Sequence, residues 1–188
     1  GAIYALRREC WQPVPTETLV DDFVIAMRVL MNGHRVVYAP NAIAREDSPP
    51  ELSDEFKRRI RIGAGDFQAL AWFWPLLDVN KGFAAFAFFS HKVLRWLTPF
   101  FLIGMLLSSL VLGIMHGGWW WLPAFAQFAG YLFAALGLLS FVRERFKLAA
   151  TATHFVSMNA ALLFGFFRWL RRSQQVTWQR TSRASSVS

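Results

Sequence analysis

The amino-acid sequence predicts an α/β fragment at the front of the chain and an all-α membrane region behind it. Residues 1–40 pass from an apolar stretch typical of a strand to a helical pattern and back to a strand. Three later runs, residues 96–115, 119–142 and 148–167, contain no Asp, Glu, Lys or Arg, and each holds about 20 residues or more. A helix of that length crosses a hydrocarbon core of about 30 Å. The sequence therefore predicts interfacial helices and two to three transmembrane helices after the α/β fragment.

Charge is divided unevenly along the 188 residues. Of the 12 acidic residues, 11 lie at or before Asp78, whereas the 20 lysines and arginines split equally, ten up to Lys81 and ten after it. The front is thus amphoteric like a soluble domain, and the back is apolar and basic, as expected of spans whose flanks face anionic lipid. We expect no nucleic acid partner, since no basic stripe is interleaved with stacking aromatics. A single cysteine, Cys10, excludes an internal disulfide framework.

The first 40 residues predict strand, loop, helix and strand in that order. Residues 2–6 are the first predicted strand, and two prolines mark the loop that follows it. From Asp21 the apolar residues have helical spacing, and Asn32 with Gly33 is a good stop signal for this helix. Residues 34–40, HRVVYAP, predict the second strand.

A second helix is predicted to begin near Ser48 or Ser53 and to run through Trp74, because Pro and Glu follow the first serine as they do at a helix start. Three basic residues share one face of this helix by their spacing: Lys57, Arg58 and Arg61.

The remaining segments are predicted from apolar runs and their boundaries. Residues 81–97 predict an interfacial helix that leads into the first uncharged run. Gly117 and Gly118 predict a tight turn beside a belt of three tryptophans at the far interface. The third run is the most polar of the three, so we expect it to tilt, break or pack against protein rather than lipid.

Two adjacent carboxylates, Asp21 and Asp22, open the first predicted helix. A carboxylate there is often only a cap or a partner of the helix dipole, worth about 0.3–1 kcal/mol. A cluster of arginines follows about 40 residues later. A carboxylate base and a cationic clamp on one side of a membrane are what is required to deprotonate a hydroxyl beside a bound diphosphate. The alternative for the arginines is a basic patch on anionic lipid.

Three stretches in this order, GAIYALRRE, VDDFVIAMRVLMNGHRVVYAP and EFKRRIRIGAGDFQAL, resemble the second half of the GT-A catalytic domain of a family 2 processive glycosyltransferase. Such enzymes include cellulose, hyaluronan and poly-N-acetylglucosamine synthases, and SHKVLRWL resembles a stretch of bacterial exopolysaccharide glycosyltransferases. The resemblance implies four regions. They are a cytoplasmic catalytic part at residues 1–70, interfacial helices at 71–96, transmembrane helices at 97–170 and a basic tail at 171–188.

The resemblance also implies roles for single residues. Asp22 is similar to the family's general base, and Asp21 to the acid that supports it. In the motif Gln-x-x-Arg-Trp, Arg58 stands at the Gln position and Arg61 at the arginine that contacts the donor pyrophosphate. Ile62 departs from the motif, where a tryptophan helps to form the acceptor platform, so the resemblance leaves the acceptor open.

Two further substrate-binding residues are implied. Gln68 continues the second motif. Trp178 in VTWQRTSR resembles the tryptophan of a motif near the catalytic mouth of hyaluronan synthases, although Gln179 and Arg180 depart from that motif. If all three uncharged runs crossed, the basic tail would emerge outside, which conflicts with the preference of positive charges for the cytoplasm. We therefore expect Trp178 on the cytoplasmic side.

The implied enzyme transfers a sugar from a nucleotide diphosphate sugar, expected to be a UDP-sugar, to a growing glycan with inversion. It would be a multi-pass protein of the bacterial inner membrane, with the lipid bilayer as a partner and the catalytic part in the cytoplasm. Mg²⁺ or Mn²⁺ is implied for the complete enzyme, with its ligands expected before Gly1. Two alternatives stay open: transfer of a single sugar to a lipid-linked acceptor, and a non-catalytic membrane anchor or pore module.

Overall fold

The computed structural model describes residues 3–44 and 52–174, and within these ranges the regular structure is helical. Seven α-helices are present there: α1 Asp21–Met31, α2 Leu52–Phe73, α3 Phe83–Phe88, α4 Leu94–His116, α5 Leu122–Leu136, α6 Ser140–Arg145 and α7 Lys147–Leu170. Short 3-10 turns lie at Arg8–Cys10, Trp74–Leu77, Val79–Lys81 and Gly118–Trp121, and a π-turn lies at Phe89–Val93.

The predicted α/β fragment is wrong, because residues 3–44 and 52–174 contain no strand. A strand needs a neighbouring strand to pair its backbone groups and to cover its side chains. The stretches predicted as strands lack both in the described part of the chain, and their apolar side chains are exposed, with Ile3 at 61%, Val37 at 74% and Tyr38 at 89%. These residues have strand-type composition without a sheet to join.

The first two helices follow the sequence prediction closely. Helix α1 begins at Asp21 and ends at Met31, and Gly33 has a φ of +79° just after it, which a glycine adopts without strain. Helix α2 begins at Leu52, near one of the two predicted starts, while Ser48 lies outside the described residues.

Two of the three uncharged runs lie in long helices, and the middle run is divided. Phe83–His116 forms one continuous helical stretch, with the π-turn inside it, and with Lys147–Leu170 it is long and apolar enough to cross a membrane. The middle run, residues 119–142, is not a single helix, since α5 ends at Leu136. Helix α7 packs across that end, where the Thr153 hydroxyl donates to the Ala134 carbonyl at 2.7 Å.

An aromatic core joins the two charged helices at the front of the chain to the apolar helices behind them. The Phe67 ring of α2 lies 5.1 Å from Phe166 of α7 and 6.1 Å from Phe100 of α4. Trp96, only 1% exposed, meets Phe23 of α1 edge to face at 5.7 Å. Such pairs add about 0.5–1.5 kcal/mol to the burial of the rings. The core therefore fixes α1, α2, α4 and α7 against one another.

Helices α2 and α7 approach each other at backbone distance. A Cβ added at Gly165 would lie 2.7 Å from the Ala64 nitrogen and 2.8 Å from the Ile60 carbonyl oxygen. Gly63 is almost as tight, since its added Cβ would lie 3.3 Å from the Leu162 Cα. Small residues permit this contact, because a side chain at these positions would force the two backbones apart.

We expect Gly165→Ala to destabilise the protein by about 1–3 kcal/mol, because the new methyl group meets backbone atoms that cannot rotate away. In a chain of this size that change lowers the thermal unfolding midpoint by about 2–4 °C for each kcal/mol. Gly130→Ala is the matched control, since an added Cβ there meets nothing within 4 Å in the described structure. An equal effect of the two substitutions on the midpoint would contradict the close contact.

Candidate functional site

The predicted base and its neighbour lie in the first turn of α1. The Asp21 Oδ1 accepts a hydrogen bond from the Asp22 backbone N–H at 3.0 Å, and the Asp22 Oδ1 accepts one from the Phe23 N–H at 2.8 Å. Asp21 is exposed, whereas Asp22 is half-buried. Both carboxylates thus satisfy N–H groups that a helix start leaves unpaired, and Asp22 is the one turned toward the protein.

Helix α2 holds the segment that leads into this turn. The Gln68 Oε1 accepts from the Leu19 N–H at 3.0 Å, and its Nε2 donates to the Glu17 carbonyl at 3.0 Å. The Arg61 Nη1 donates to the Leu19 carbonyl at 3.3 Å. Two predicted substrate-binding residues, Arg61 and Gln68, are therefore brought beside the Asp21–Asp22 turn, and both carry a positioning role that the sequence did not indicate.

Gly65 lies between these two residues on α2 and lets the segment approach. An added Cβ at Gly65 would lie 2.2 Å from the Val20 Cγ2 and 3.1 Å from the Leu19 Cβ. One face of α2 therefore holds residues 17–20 through the hydrogen bonds of Arg61 and Gln68 and the close approach at Gly65.

The other cations of α2 pair with acids of the same helix. Arg58 Nη1 lies 3.6 Å from a Glu55 oxygen, and Arg59 donates to the other oxygen of Glu55. Lys57 lies 3.4 Å from Asp54. These partly exposed pairs are worth little in stability. They keep the Arg58 guanidinium near the surface of α2.

Asp66 of α2 is a half-buried acid that is not among the predicted site residues. Its pKa is raised from 3.8 to about 7, chiefly because burial disfavours the charged form. Lys92 and Arg95 oppose this shift, and the negative charge of Asp22 adds to it. The available signal was an acid placed between small and aromatic residues in GAGDFQAL. Asp66 is therefore coupled electrostatically both to the predicted base and to two cations, Lys92 in the π-turn and Arg95 just after it.

The π-turn segment packs directly against the start of α1. The Lys92 Nζ lies 4.8 Å from the centroid of the Phe23 ring, a cation–π contact next to Asp22. The buried indole nitrogen of Trp96 has no hydrogen bond of normal geometry in the described part of the chain, although it lies close enough to Asp66 to favour its ionised form. π-turns inside α-helices occur frequently at functional sites.

The sequence model of the family described as Glycosyl transferase family group 2 matches residues 1–167. The chain belongs to glycosyltransferase family 2. Members of this family transfer a sugar from a nucleotide sugar to an acceptor, so this family 2 glycosyltransferase has a nucleotide-sugar donor. Neither a curated protein nor a solved structure matches the chain.

Family 2 glycosyltransferases typically use a divalent metal ion. Across residues 3–44 and 52–174 this glycosyltransferase has no group of three or more His, Cys, Asp or Glu side chains that could hold a metal. Asp21, Asp22 and Asp66 thus do not form a metal centre. Trp178 lies outside the residues that the structure describes.

A pocket of about 310 Å³ lies at the other end of α1 in this family 2 glycosyltransferase. Arg28, Asn32 and Gln12 supply polar groups, and Trp72 and Phe73 supply aromatic surface. The Arg28 side chain donates to the Pro13 carbonyl, which ties it to the pocket wall. The pocket is separated from Asp22 by most of the length of α1.

We expect Asp66→Asn to stabilise the protein more at pH 8 than at pH 5. A folded pKa of about 7 against an ordinary 3.8 means that folded Asp66 keeps a proton which unfolded Asp66 loses. The resulting penalty is absent below about pH 4, grows as the pH rises and is complete above about pH 7. We expect the gain from the amide to differ by about 2–3 kcal/mol between the two pH values.

Thermal unfolding of both proteins across this pH range measures the difference. Asp54→Asn is the control, because its carboxylate lies at the start of the same helix beside Lys57. A gain for Asp66→Asn that is the same at pH 5 and pH 8 would show that Asp66 has an ordinary pKa.

Proposed function

We propose that this chain belongs to a membrane glycosyltransferase that transfers a sugar from a UDP-sugar to a growing polysaccharide with inversion. The observation that carries the proposal is the position of Asp21 and Asp22 at the start of α1, on a segment that Arg61 and Gln68 hold from α2. Family membership gives the reaction class, which is sugar transfer from a nucleotide sugar. The donor nucleotide, the polymeric product and the residue roles are the proposed part.

Asp22 is the proposed general base. It takes the proton of the acceptor hydroxyl as the acceptor oxygen bonds to the anomeric carbon of the donor sugar. The bond from that carbon to the diphosphate oxygen breaks, and its electron pair leaves with the nucleotide diphosphate. A single displacement of this kind inverts the anomeric carbon. Asp21 is the proposed supporting acid, since it directly precedes Asp22 and its carboxylate accepts the Asp22 backbone N–H.

Arg61 and Arg58 are the proposed partners of the diphosphate. A guanidinium carries five N–H donors, and Arg61 uses one of them in a 3.3 Å bond to the Leu19 carbonyl, which is long for a charge-assisted contact. Gln68 keeps this face of α2 against the segment that leads to Asp22. The leaving group and the base would then be held by neighbouring parts of one packed unit.

The lipid bilayer is the proposed environment of α4 and α5. Both helices expose large apolar side chains along their lengths, and soluble proteins rarely expose so extended an apolar surface. The exposed residues include Phe101, Ile103, Met105, Leu107, Val111, Ile114, Leu122, Phe125, Phe128 and Leu132. We propose the bacterial inner membrane, with the charged helices α1 and α2 on its cytoplasmic side.

We propose the same division of the chain into four regions that the family resemblance implies. Residues 1–70 would belong to the catalytic part, 71–96 to interfacial helices, 97–170 to the membrane region and 171–188 to a basic tail. Trp178 in that tail is the remaining proposed substrate contact.

We expect Asp22→Asn in the full-length protein to lower the rate of sugar transfer by about 10²–10⁴-fold, because removal of a general base typically has that effect. UDP binding should change little, since the donor is held by other groups. Incorporation of radiolabelled sugar from a panel of UDP-sugars, with the product sized by gel filtration, measures the rate and the product. Asp54→Asn is the control. Turnover of Asp22→Asn within a few-fold of the parent protein would reject Asp22 as the base.

We expect Arg61→Ala to weaken UDP binding by about 1.5–3 kcal/mol, or roughly 10–150-fold in Kd, through loss of a charge-assisted contact. Isothermal titration with UDP measures this affinity. Lys57→Ala is the matched control, a cation one turn earlier on α2 that pairs with Asp54. If UDP affinity is unchanged and only binding to anionic liposomes falls, Arg61 belongs to a lipid-binding patch instead.

A further inference from the structure

The composition of helix α7 does not decide whether this helix crosses the membrane or lies along its surface. It has 24 residues and is long and apolar enough to cross a bilayer. Its first half contacts the end of α5, where Gly137 lies against the Ala149 backbone and Thr153 donates to the Ala134 carbonyl. The start of α7 is therefore at the level of the α5 C-terminus.

Helices α4 and α5 run antiparallel. Contacts between them therefore show which part of α4 lies beside the α5 C-terminus. Trp121 at the start of α5 packs on Gly113 near the end of α4, with an added Cβ 2.7 Å from the indole. Farther along α5, the Gln127 side chain donates to the Leu102 carbonyl at 3.0 Å. Ala134 lies two turns beyond Gln127, about 10 Å farther toward the start of α4. The α5 C-terminus is thus on the side of the bundle where α4 begins.

The second half of α7 lies on this same side. The Phe166 ring lies 5.0 Å from Phe100, which is within two turns of the α4 N-terminus at Leu94. Phe164 meets Phe56 of α2 at 6.3 Å, and Gly165 touches the α2 backbone. If α7 crossed the bilayer beside α4, one end of α7 would lie near His116, which is about 24 Å from Phe100 along the α4 axis. Both halves of α7 instead contact the catalytic side.

Charge agrees with this placement. Helix α7 packs along α2, which carries acids and bases in the turns that meet Phe164, and such a helix is not stable in hydrocarbon. The exposed side chains of α7 are of both kinds. Leu148, Phe155, Phe167 and Leu170 are apolar, and Thr151, His154 and Arg168 are polar. A helix of mixed exposed polarity suits the boundary between headgroups and acyl chains.

We propose that α7 lies along the membrane surface on the side of the catalytic helices and does not cross the bilayer. This inference rests on the membrane location proposed above. The crossing elements in the described part of the chain are then α4 and the return formed by Gly118–Trp121 with α5. Four residues of 3-10 turn and a 15-residue helix rise by about 30 Å, which is the thickness of the hydrocarbon core.

In this arrangement the different faces of α7 have different partners. Its small residues bind α2, its apolar side chains contact the outer part of the lipid layer, and Arg168 with Arg171 stays on the side of Asp22. Residues 171–174, which follow Leu170, therefore lie on the catalytic side rather than on the opposite face of the membrane.

Single cysteines in a full-length Cys10→Ser background test the inference. His116→Cys marks the turn between α4 and α5, Ser140→Cys marks the start of α6, and Ser173→Cys follows α7. All three positions are exposed and lie outside the proposed catalytic machinery. The variants are labelled with a membrane-impermeant maleimide in spheroplasts, before and after lysis, and expression and sugar transfer are checked for each.

We expect strong labelling of His116→Cys in intact spheroplasts, and at least ten-fold weaker labelling of Ser140→Cys and Ser173→Cys until lysis. Labelling of Ser173→Cys but not Ser140→Cys in intact spheroplasts would show that α7 crosses, and this outcome would overturn the inference alone. Shielding of His116→Cys, or equal labelling of all three, would show that the α4–α5 hairpin does not cross. That result would reject the membrane arrangement itself, while UDP-dependent sugar transfer would still report on the catalytic assignment.

Discussion

The contact between α2 and α7 is the constraint on which the rest of the described structure depends. Gly165 and Gly63 allow the two backbones to touch, and the aromatic rings of Phe67 and Phe166 then meet beside Phe100. With α2 fixed in this way, an adjacent face carries Arg61 and Gln68 toward the segment before Asp21. One face of α2 thus binds the apolar part of the chain while another organises the candidate site.

The candidate site contains one polar side chain that stabilises the fold and one that destabilises it. Gln68 satisfies two backbone groups that would otherwise lack partners, and each such bond is worth about 0.5–1.5 kcal/mol. Asp66 does the opposite, because burial raises its pKa to about 7 despite Lys92 and Arg95 nearby. An acid that titrates near neutrality beside Asp22 is the kind of perturbed group that clusters at functional sites. The site therefore has a specific electrostatic neighbour for the proposed base.

Local signals predicted the helices well and the long-range arrangement poorly. The helix from Asp21 and its stop at Gly33 follow from periodicity and turn chemistry, which act within a few residues. The strands at residues 2–6 and 34–40 were wrong where the structure describes them, since composition cannot supply a pairing partner. The break after Leu136 depends on α7 packing across α5, and the role of Gln68 depends on a segment 49 residues away. The importance of Asp66 was missed because its neighbours Lys92 and Arg95 are distant in sequence.

The backbone contact at Gly165 has a mechanical consequence. A helix that rests in the headgroup layer experiences the lateral pressure of the lipids, and α7 has no side-chain cushion between its own backbone and that of α2. If α7 lies in the headgroup layer as proposed, a change in headgroup packing would pass directly to α2, and with it to the guanidinium of Arg61 and the start of α1. The lipid would then help to set the distance between the proposed base and the proposed partner of the diphosphate.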